Sequence, residues 1–292
     1  MNFNSKLIYG LFILVIFNHS KCLVAQEEYV DWREKMKELV YSPRYFGPNA
    51  FPLPDLHGGR LGTRWEIEVR GEYHYYTGDR TKDLFARLYI PVANGKAGVE
   101  IRGVGLETYQ TDDETRDERH AYANQPPITC KGDIIITSFY QVLQSDKWCD
   151  ITVSGSLKTA SGNRLCDARY TDAASYWLEA TAGRNLFQTA DKTITFRMQG
   201  MFGFYCWMTN DIVHRQNDAL LYGFGGSLNI RNLSLDANWS GFHGYEDNGD
   251  KPLTFRSKLN YEYKKNILSL RYNHGIRDFL HDTYSVGYIR CF

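Results

Sequence analysis

The sequence predicts an all-β fold: a closed antiparallel up-and-down transmembrane β-barrel of about twelve strands, preceded by a short helical and proline-rich segment. Three observations predict it. Stretches of about ten residues alternate between apolar and polar side chains, the connections between them alternate between short and long, and an apolar leader stands at the N-terminus. Alternation with a period of two is the pattern of a strand whose two faces differ chemically.

The chain begins with the parts of a secretory signal peptide. Lys6 supplies a positive charge, Leu7–Phe17 is apolar, and a more polar stretch ends at the small residue Ala25. The apolar run is too short to cross a bilayer as a helix. We therefore expect residues 1–25 to be a signal peptide that is cleaved on export.

Residues 26–62 differ in character from the remainder of the chain. Val30–Val40 has the apolar spacing of a short helix, with Asp31 as a candidate N-cap. Ser42–Gly59 holds four of the eight prolines, a density that excludes both a helix and a sheet ladder. This part is either a tail on the periplasmic side or a segment inside the barrel. Its apolar side chains favour the luminal position and give four plug candidates: Tyr45, Phe46, Phe51 and Leu53.

Arg64–Tyr76, with the sequence RWEIEVRGEYHYY, is the clearest strand. Apolar or aromatic residues alternate along it with charged ones, apart from Gly71. Either the charged face lies in water over a protein core, or the apolar face lies in lipid and the charged face lines a barrel. The same alternation recurs as far as Phe292, so we expect residues 63–292 to form the barrel.

The connections decide between these alternatives. The tight ones are Asn94–Lys96, Ser145–Lys147, Gln188–Lys192, Arg231–Asn232 and Lys264–Asn266. The longer polar ones are Gln110–Gly132, Ala160–Ala174, Asn210–Asp218, Tyr245–Pro252 and Asp278–Asp282, with the short Gly78–Lys82 as an exception. Short turns at one rim and long loops at the other are typical of a membrane barrel, whereas a soluble sandwich does not require them.

On these features the sequence resembles bacterial outer-membrane β-barrel proteins, from Arg64 to Phe292. The last strand, YSVGYIRCF, ends in Phe292 after alternating aromatic residues, and is similar to the signal that barrel-assembly machinery recognises in that class. The resemblance implies a location in the cell outer membrane, contact with outer-membrane lipid, assembly through the C-terminal strand, and an envelope protein as a further partner.

If the apolar faces lie in lipid, the charged faces point into the lumen. The predicted lumen-lining residues are Glu66, Glu68, Arg70, Glu72, His74, Arg87, Glu100, Arg102, Arg197, Arg256, Lys258 and Arg271, with Glu179 on the same side of its strand. They predict either a pore that selects a solute or a closed interior in which acids and bases pair. The sequence leaves both open.

Histidines and carboxylates collect at the long-loop rim. The histidines are His120, His214, His243 and His281. A hydrolase at this rim would need one of them within hydrogen-bond reach of an acid or a nucleophile, and no nucleophile motif accompanies them. Asp112–His120 is a mixed charge run typical of a solvated loop, and Asp247–Asp250 lacks the spacing of a calcium loop.

Composition excludes several other classes. With 34 basic and 34 acidic residues the chain offers no case for a nucleic-acid partner, and no motif predicts a cofactor, a metal site or a catalytic residue. Cys130 and Cys166 both fall in predicted loops, where a disulfide and two free thiols are equally compatible with the sequence.

The predicted function is that of a passive small-solute channel, or of a structural or accessory envelope protein with a charged lumen. Two alternatives come from other classes. One is a hydrolase at the outer rim acting on lipid or peptide, and the other is a soluble secreted β-sandwich that binds carbohydrate. Enzymatic activity is not the favoured expectation, because no catalytic set can be named from the sequence.

Overall fold

Twelve long strands form the barrel in the computed structural model, which describes residues 36–122 and 127–292. The strands are β1 Glu66–Tyr76, β2 Asp79–Val92, β3 Ala97–Thr111, β4 Ile128–Cys130, β5 Ile134–Leu143, β6 Asp150–Lys158, β7 Ser175–Gln188, β8 Ile194–Met208, β9 Gln216–Ile230, β10 Leu233–Gly244, β11 Leu253–Tyr263, β12 Asn266–Arg277 and β13 Asp282–Cys291. A short α-helix, α1, covers Asp113–Glu118. Within the described residues, no helix combines the length and apolar character needed to cross a membrane. The predicted signal peptide and most of the predicted helix Val30–Val40 lie outside them.

The barrel closes between its first and last strands. β1 pairs antiparallel with β2 on one side and with β13 on the other, where Glu66 is opposite Cys291 and Tyr75 is opposite Asp282. The backbone N–H of Phe292 donates to the Trp65 carbonyl at 3.0 Å and extends this seam. Each remaining long strand pairs antiparallel with its neighbours, which confirms the predicted closed up-and-down barrel.

The strands expose their apolar face and bury their polar face, which is the reverse of a water-soluble protein. On β1, Ile67 and Val69 are 42% and 46% exposed, whereas Glu68 between them is 1% exposed. Large apolar side chains are exposed in the same way on every long strand. Such a surface requires lipid around it, because a closed barrel satisfies every backbone group internally and leaves only its side chains to face the bilayer.

Leu270 near the middle of β12 tests this orientation, since its side chain is 47% exposed. We expect Leu270→Arg to destabilise the folded barrel by about 2–4 kcal/mol, because the guanidinium would face hydrocarbon. Urea titration in lipid vesicles, read by unheated gel migration, measures the change. Leu270→Met is the control and should remain close to wild type, and equal stability of the two variants would contradict a lipid-facing position.

The link between β3 and β5 departs from the prediction of a solvated loop. It contains α1 and the short strand β4, which pairs with β3. The Asp112 carboxylate caps α1 by accepting from the Thr115 N–H at 2.8 Å. Arg119, within the predicted solvated run, is only 2% exposed, because its guanidinium donates to Asp79 at 2.6 Å. A mixed charge run is therefore partly buried here by ion pairing.

The pairing of β2 with β3 is irregular at one position. The register between β2 and β3 shifts where Leu84 faces Leu106 and Phe85 faces Val104, so the extra residue is Gly105. This β-bulge keeps the inward-facing side chains of the two strands opposite each other on either side of Gly105.

Residues 36–62, hereafter the luminal segment, run through the barrel from one rim to the other. At the long-loop rim, the Trp207 indole N–H donates to the Tyr41 carbonyl at 2.9 Å. At the short-turn rim, the Gln141 side-chain amide donates to the Gly59 carbonyl at 2.8 Å. The segment thus enters the fold beside the long loops and leaves it where β1 begins.

Candidate functional site

A cavity of about 530 Å³ lies between the luminal segment and the barrel wall. Eleven of the predicted lumen-lining residues border it: Glu66, Glu68, Arg70, Glu72, His74, Arg87, Glu100, Arg102, Arg256, Lys258 and Arg271. Arg197 is not among the lining residues and instead contacts the luminal segment. Polar side chains from β9 to β13 complete the opposite wall, including Ser227, Asn238, Asn260 and Asn273.

On the β1–β3 wall the charges form a connected network around Arg87. Its guanidinium donates to Glu66 at 2.6 Å, to Glu68 at 2.8 Å and to Glu100 at 3.1 Å. Cross-strand neighbours supply these partners, since Glu68 lies opposite Arg87 in the β1–β2 register. Three carboxylates around one guanidinium fix the side chains against the wall and keep them out of the cavity centre.

Glu68 links this network to two further arginines. Arg70 lies 3.1 Å from Glu68 and 3.0 Å from Glu72, and its guanidinium stacks 3.5 Å from the centroid of the Phe85 ring. Arg271 on β12 also donates to Glu68. One buried carboxylate therefore holds three guanidinium groups, an arrangement that offsets the desolvation of each.

Asp55 carries a negative charge from the luminal segment into the cavity. Its carboxylate contacts Arg256 and lies 3.7 Å from Arg102. Burial acts to raise the pKa of this carboxyl, but Arg256 and then Arg102 outweigh it and hold the pKa well below its usual range. Asp55 is therefore ionised, and half of its side chain remains exposed to the cavity.

Polar contacts hold the part of the luminal segment nearest the short-turn rim, residues 54–61, hereafter its lower half. Arg197 donates to the Gly58 carbonyl at 2.6 Å and to Asp150 at 2.7 Å. Gln141 accepts from the Leu61 N–H at 2.9 Å. Gly59 has φ of +71°, and a side chain there would come within 2.5 Å of the Asp150 carbonyl, so this close approach to the wall requires glycine.

The plug candidates lie in the long-loop half of the barrel. Phe46, Phe51 and Leu53 are buried among the aromatic side chains of the wall, and Tyr45 is partly buried. Phe51 meets the Trp207 ring edge-on, with 5.7 Å between centroids. This packing fills the long-loop half, whereas the charged cavity occupies the remaining lumen.

A cluster of buried charged side chains on the long-loop side of the cavity could not be anticipated from the sequence. The fully buried Arg169 donates to Asp79 at 2.7 Å, to Glu107 at 2.7 Å and to the Thr81 hydroxyl at 2.8 Å, and Tyr170 donates to Glu107 at 2.6 Å. These side chains come from β2, β3 and the β6–β7 loop, which are far apart in sequence. Only the folded barrel brings them together.

The rim histidines do not converge on a common site. Three of them lie near different carboxylates, in the pairs His120–Glu38 at 3.4 Å, His214–Glu246 at 3.3 Å and His281–Asp79 at 3.4 Å, and His243 is exposed on β10. Burial lowers the pKa of His281 to about 4, so its ring is neutral at pH 7. The arrangement provides no shared acid and base.

One group of possible metal ligands occurs among the described residues, formed by Glu72, His74 and Asp83. Most of their ligand atoms already have protein partners: the two ring nitrogens of His74 bond Thr283 at 2.8 Å and Asp83 at 2.7 Å, and Glu72 pairs with Arg70, whereas Asp83 Oδ1 has no hydrogen-bond partner among the described residues. These bonds already engage both nitrogens of His74. The five cysteines in the described part of the chain, Cys130 and Cys166 included, are free thiols.

Comparison with known proteins identifies the fold. An outer-membrane channel from Pseudomonas putida F1 superposes with a TM-score of 0.57 at 11% identity, over 82% of this chain and 100% of that chain. The translocator domain of the autotransporter NalP from Neisseria meningitidis gives a TM-score of 0.48 at 9% identity, over 81% and 90%. The KdgM porin gives 0.45 at 12% identity, over 77% and 99%. No protein-family profile and no curated protein matches the sequence. The likeness to the Pseudomonas channel therefore concerns the fold: this chain has the fold of an outer-membrane β-barrel.

Proposed function

We propose that the protein is an outer-membrane channel for small solutes and that the luminal segment obstructs it in this structure. The observation that carries this proposal is the charged cavity of about 530 Å³ that borders the luminal segment and the barrel wall. A barrel interior used only as a filled core has no need of such a space, because charges paired across the wall could close it.

The barrel fold supports a location in the outer membrane. The proposed signal peptide, residues 1–25, exports the chain, and the barrel inserts with its apolar belt in outer-membrane lipid. The last strand, β13, which Phe292 follows, is the segment offered to the barrel-assembly machinery. In barrels of this kind the long loops face the cell exterior and the short turns face the periplasm.

The luminal segment is held differently in its two halves. Aromatic packing anchors residues 39–53, whereas hydrogen bonds and ion pairs to Gln141, Arg197 and Arg256 hold residues 54–61. Polar contacts next to a water-accessible cavity can exchange with water at small net cost, because water replaces the lost partners. The lower half is therefore the part whose displacement would widen the passage.

Planar-bilayer recording tests the channel. We expect low conductance for the wild type and clearly higher conductance for a variant lacking residues 43–59. The double variant Arg197→Ala with Gln141→Ala, which keeps the segment but removes two of its anchors, should give brief openings. Unheated gel migration confirms that each variant is folded.

Asp191→Asn is the control, because this exposed carboxylate at the short-turn rim bonds Thr193 of its own turn and not the luminal segment. It should conduct like the wild type. A folded deletion variant without any conductance would reject the channel and favour the structural or accessory role, which the aromatic filling of the long-loop half supports.

A further inference from the structure

Arg256 differs from the other arginines of the cavity in where its partners come from. In the part of the chain that the structure describes, its ion pair is with Asp55, and its guanidinium also donates to the Pro54 carbonyl at 2.8 Å. Both partners belong to the luminal segment. Lys258, two residues further along the same face of β11, is instead paired with Asp236 of the neighbouring strand at 3.3 Å.

The set of arginines and glutamates on the wall of the cavity is therefore one negative charge short. Its arginines are Arg70, Arg87, Arg102, Arg256 and Arg271, and its glutamates within that network are Glu66, Glu68, Glu72 and Glu100. Five positive charges face four negative ones, and Asp55 supplies the fifth. When the lower half of the segment is displaced, this carboxylate goes with it and Arg256 loses its ion-pair partner.

Arg102 and Arg256 approach Asp55 from distant parts of the wall. Arg102 lies on β3 and Arg256 on β11, with β2, β1, β13 and β12 between them around the barrel. The carboxylate is thus held between two distant parts of the wall, beside the cavity. Arg102 keeps Glu100 at 3.0 Å as a second partner, so Arg256 is the more dependent of the two on Asp55.

We propose that the guanidinium groups of Arg102 and Arg256 form an anion-binding site for a solute carboxylate, and that Asp55 occupies this site in the closed channel. This inference rests on the proposed channel function and deepens it by naming the solute class. Two guanidinium groups that converge on one carboxylate favour carboxylate over a neutral solute of equal size, because charge-assisted hydrogen bonds are the stronger ones. A carboxylate-bearing solute and Asp55 exchange on the same pair of arginines, so entry of the solute and release of the segment are coupled.

Binding of citrate in detergent solution tests the site without relying on conductance. We expect Asp55→Asn to bind citrate about tenfold more tightly than the wild type in calorimetry, because the internal competitor has lost its charge. Adding Arg256→Gln to Asp55→Asn should abolish that gain. The matched control adds Lys258→Gln to Asp55→Asn instead. This variant should keep the tighter citrate binding, because Lys258 is paired with Asp236 of the wall.

Reversal potentials in a KCl gradient then test the consequence for permeation. Asp55→Asn should shift selectivity toward anions, and Arg256→Gln should reverse the shift. Equal citrate affinity in Asp55→Asn and in its Arg256→Gln derivative would overturn the anion site, whatever the recordings show. Tight citrate binding to Asp55→Asn combined with no conductance in any folded variant would instead leave the site standing and reject the channel.

Discussion

Arg169→Ala is expected to be among the most destabilising single substitutions in this protein. The guanidinium is fully buried and bonds the carboxylates of Asp79 and Glu107. Its removal leaves Glu107 without its guanidinium partner and Asp79 with Arg119 as its remaining arginine, and breaking a buried pair in this way costs about 3–5 kcal/mol. We expect the variant to unfold at a clearly lower urea concentration, measured by tryptophan fluorescence in lipid vesicles and by unheated gel migration.

The control for this experiment is Arg116→Ala, an arginine in the β3–β5 link whose partners Asp113 and Asp117 are both exposed. Exposed pairs contribute about 0–1 kcal/mol, so this variant should behave like the wild type. Arg169→Met combined with Glu107→Gln should recover part of the stability, because one unpaired charge is removed with its partner. If Arg169→Ala and Arg116→Ala unfolded at the same urea concentration, the buried cluster would not be a source of stability.

The second large effect concerns the direction in which the luminal segment is threaded. Glu38 lies near the start of the described chain, is 63% exposed and approaches His120 in the β3–β5 link. It therefore lies at the long-loop rim, which faces the cell exterior in barrels of this kind. We expect Glu38→Cys to react with a membrane-impermeant maleimide in intact cells, in a background where the partly exposed Cys149 and Cys166 are serine.

Two further cysteine positions make the labelling decisive. Asp146→Cys lies at the short-turn rim and should react only after the outer membrane is made permeable. Ile212→Cys, in the β8–β9 loop and 85% exposed, should react in intact cells. Labelling of Ile212→Cys without labelling of Glu38→Cys would show that the segment does not reach the outer rim.

The barrel could be predicted from the sequence because lipid imposes a simple rule on every strand. Leu84–Val92 is an example, since its alternation places apolar side chains on one face throughout. Most of the predicted connection Gly78–Lys82 in fact belongs to this strand, which begins at Asp79. Residues 79–83 are polar on both faces, so the alternation could not reveal the true start.

The candidate site is predictable only in part. Alternation alone indicates that Glu68 and Arg87 share a face, but not which arginine pairs with which glutamate, because pairing depends on register. Asp55 gives no signal at all, since it lies in a proline-rich stretch with no periodicity. Arg169 falls within a predicted polar loop, and its burial depends on partners from two strands and on the packing of the luminal segment at Gly47, where an added Cβ would lie 2.5 Å from the guanidinium carbon.

The seam between β1 and β13 has a consequence for assembly. The luminal segment continues into β1, and β1 pairs with β13, so the ring is incomplete until β13 is in place. While this seam is open, the segment can be laid into the barrel from the side, whereas after closure it could enter only end-on. We therefore expect the seam to close around a luminal segment that is already in place.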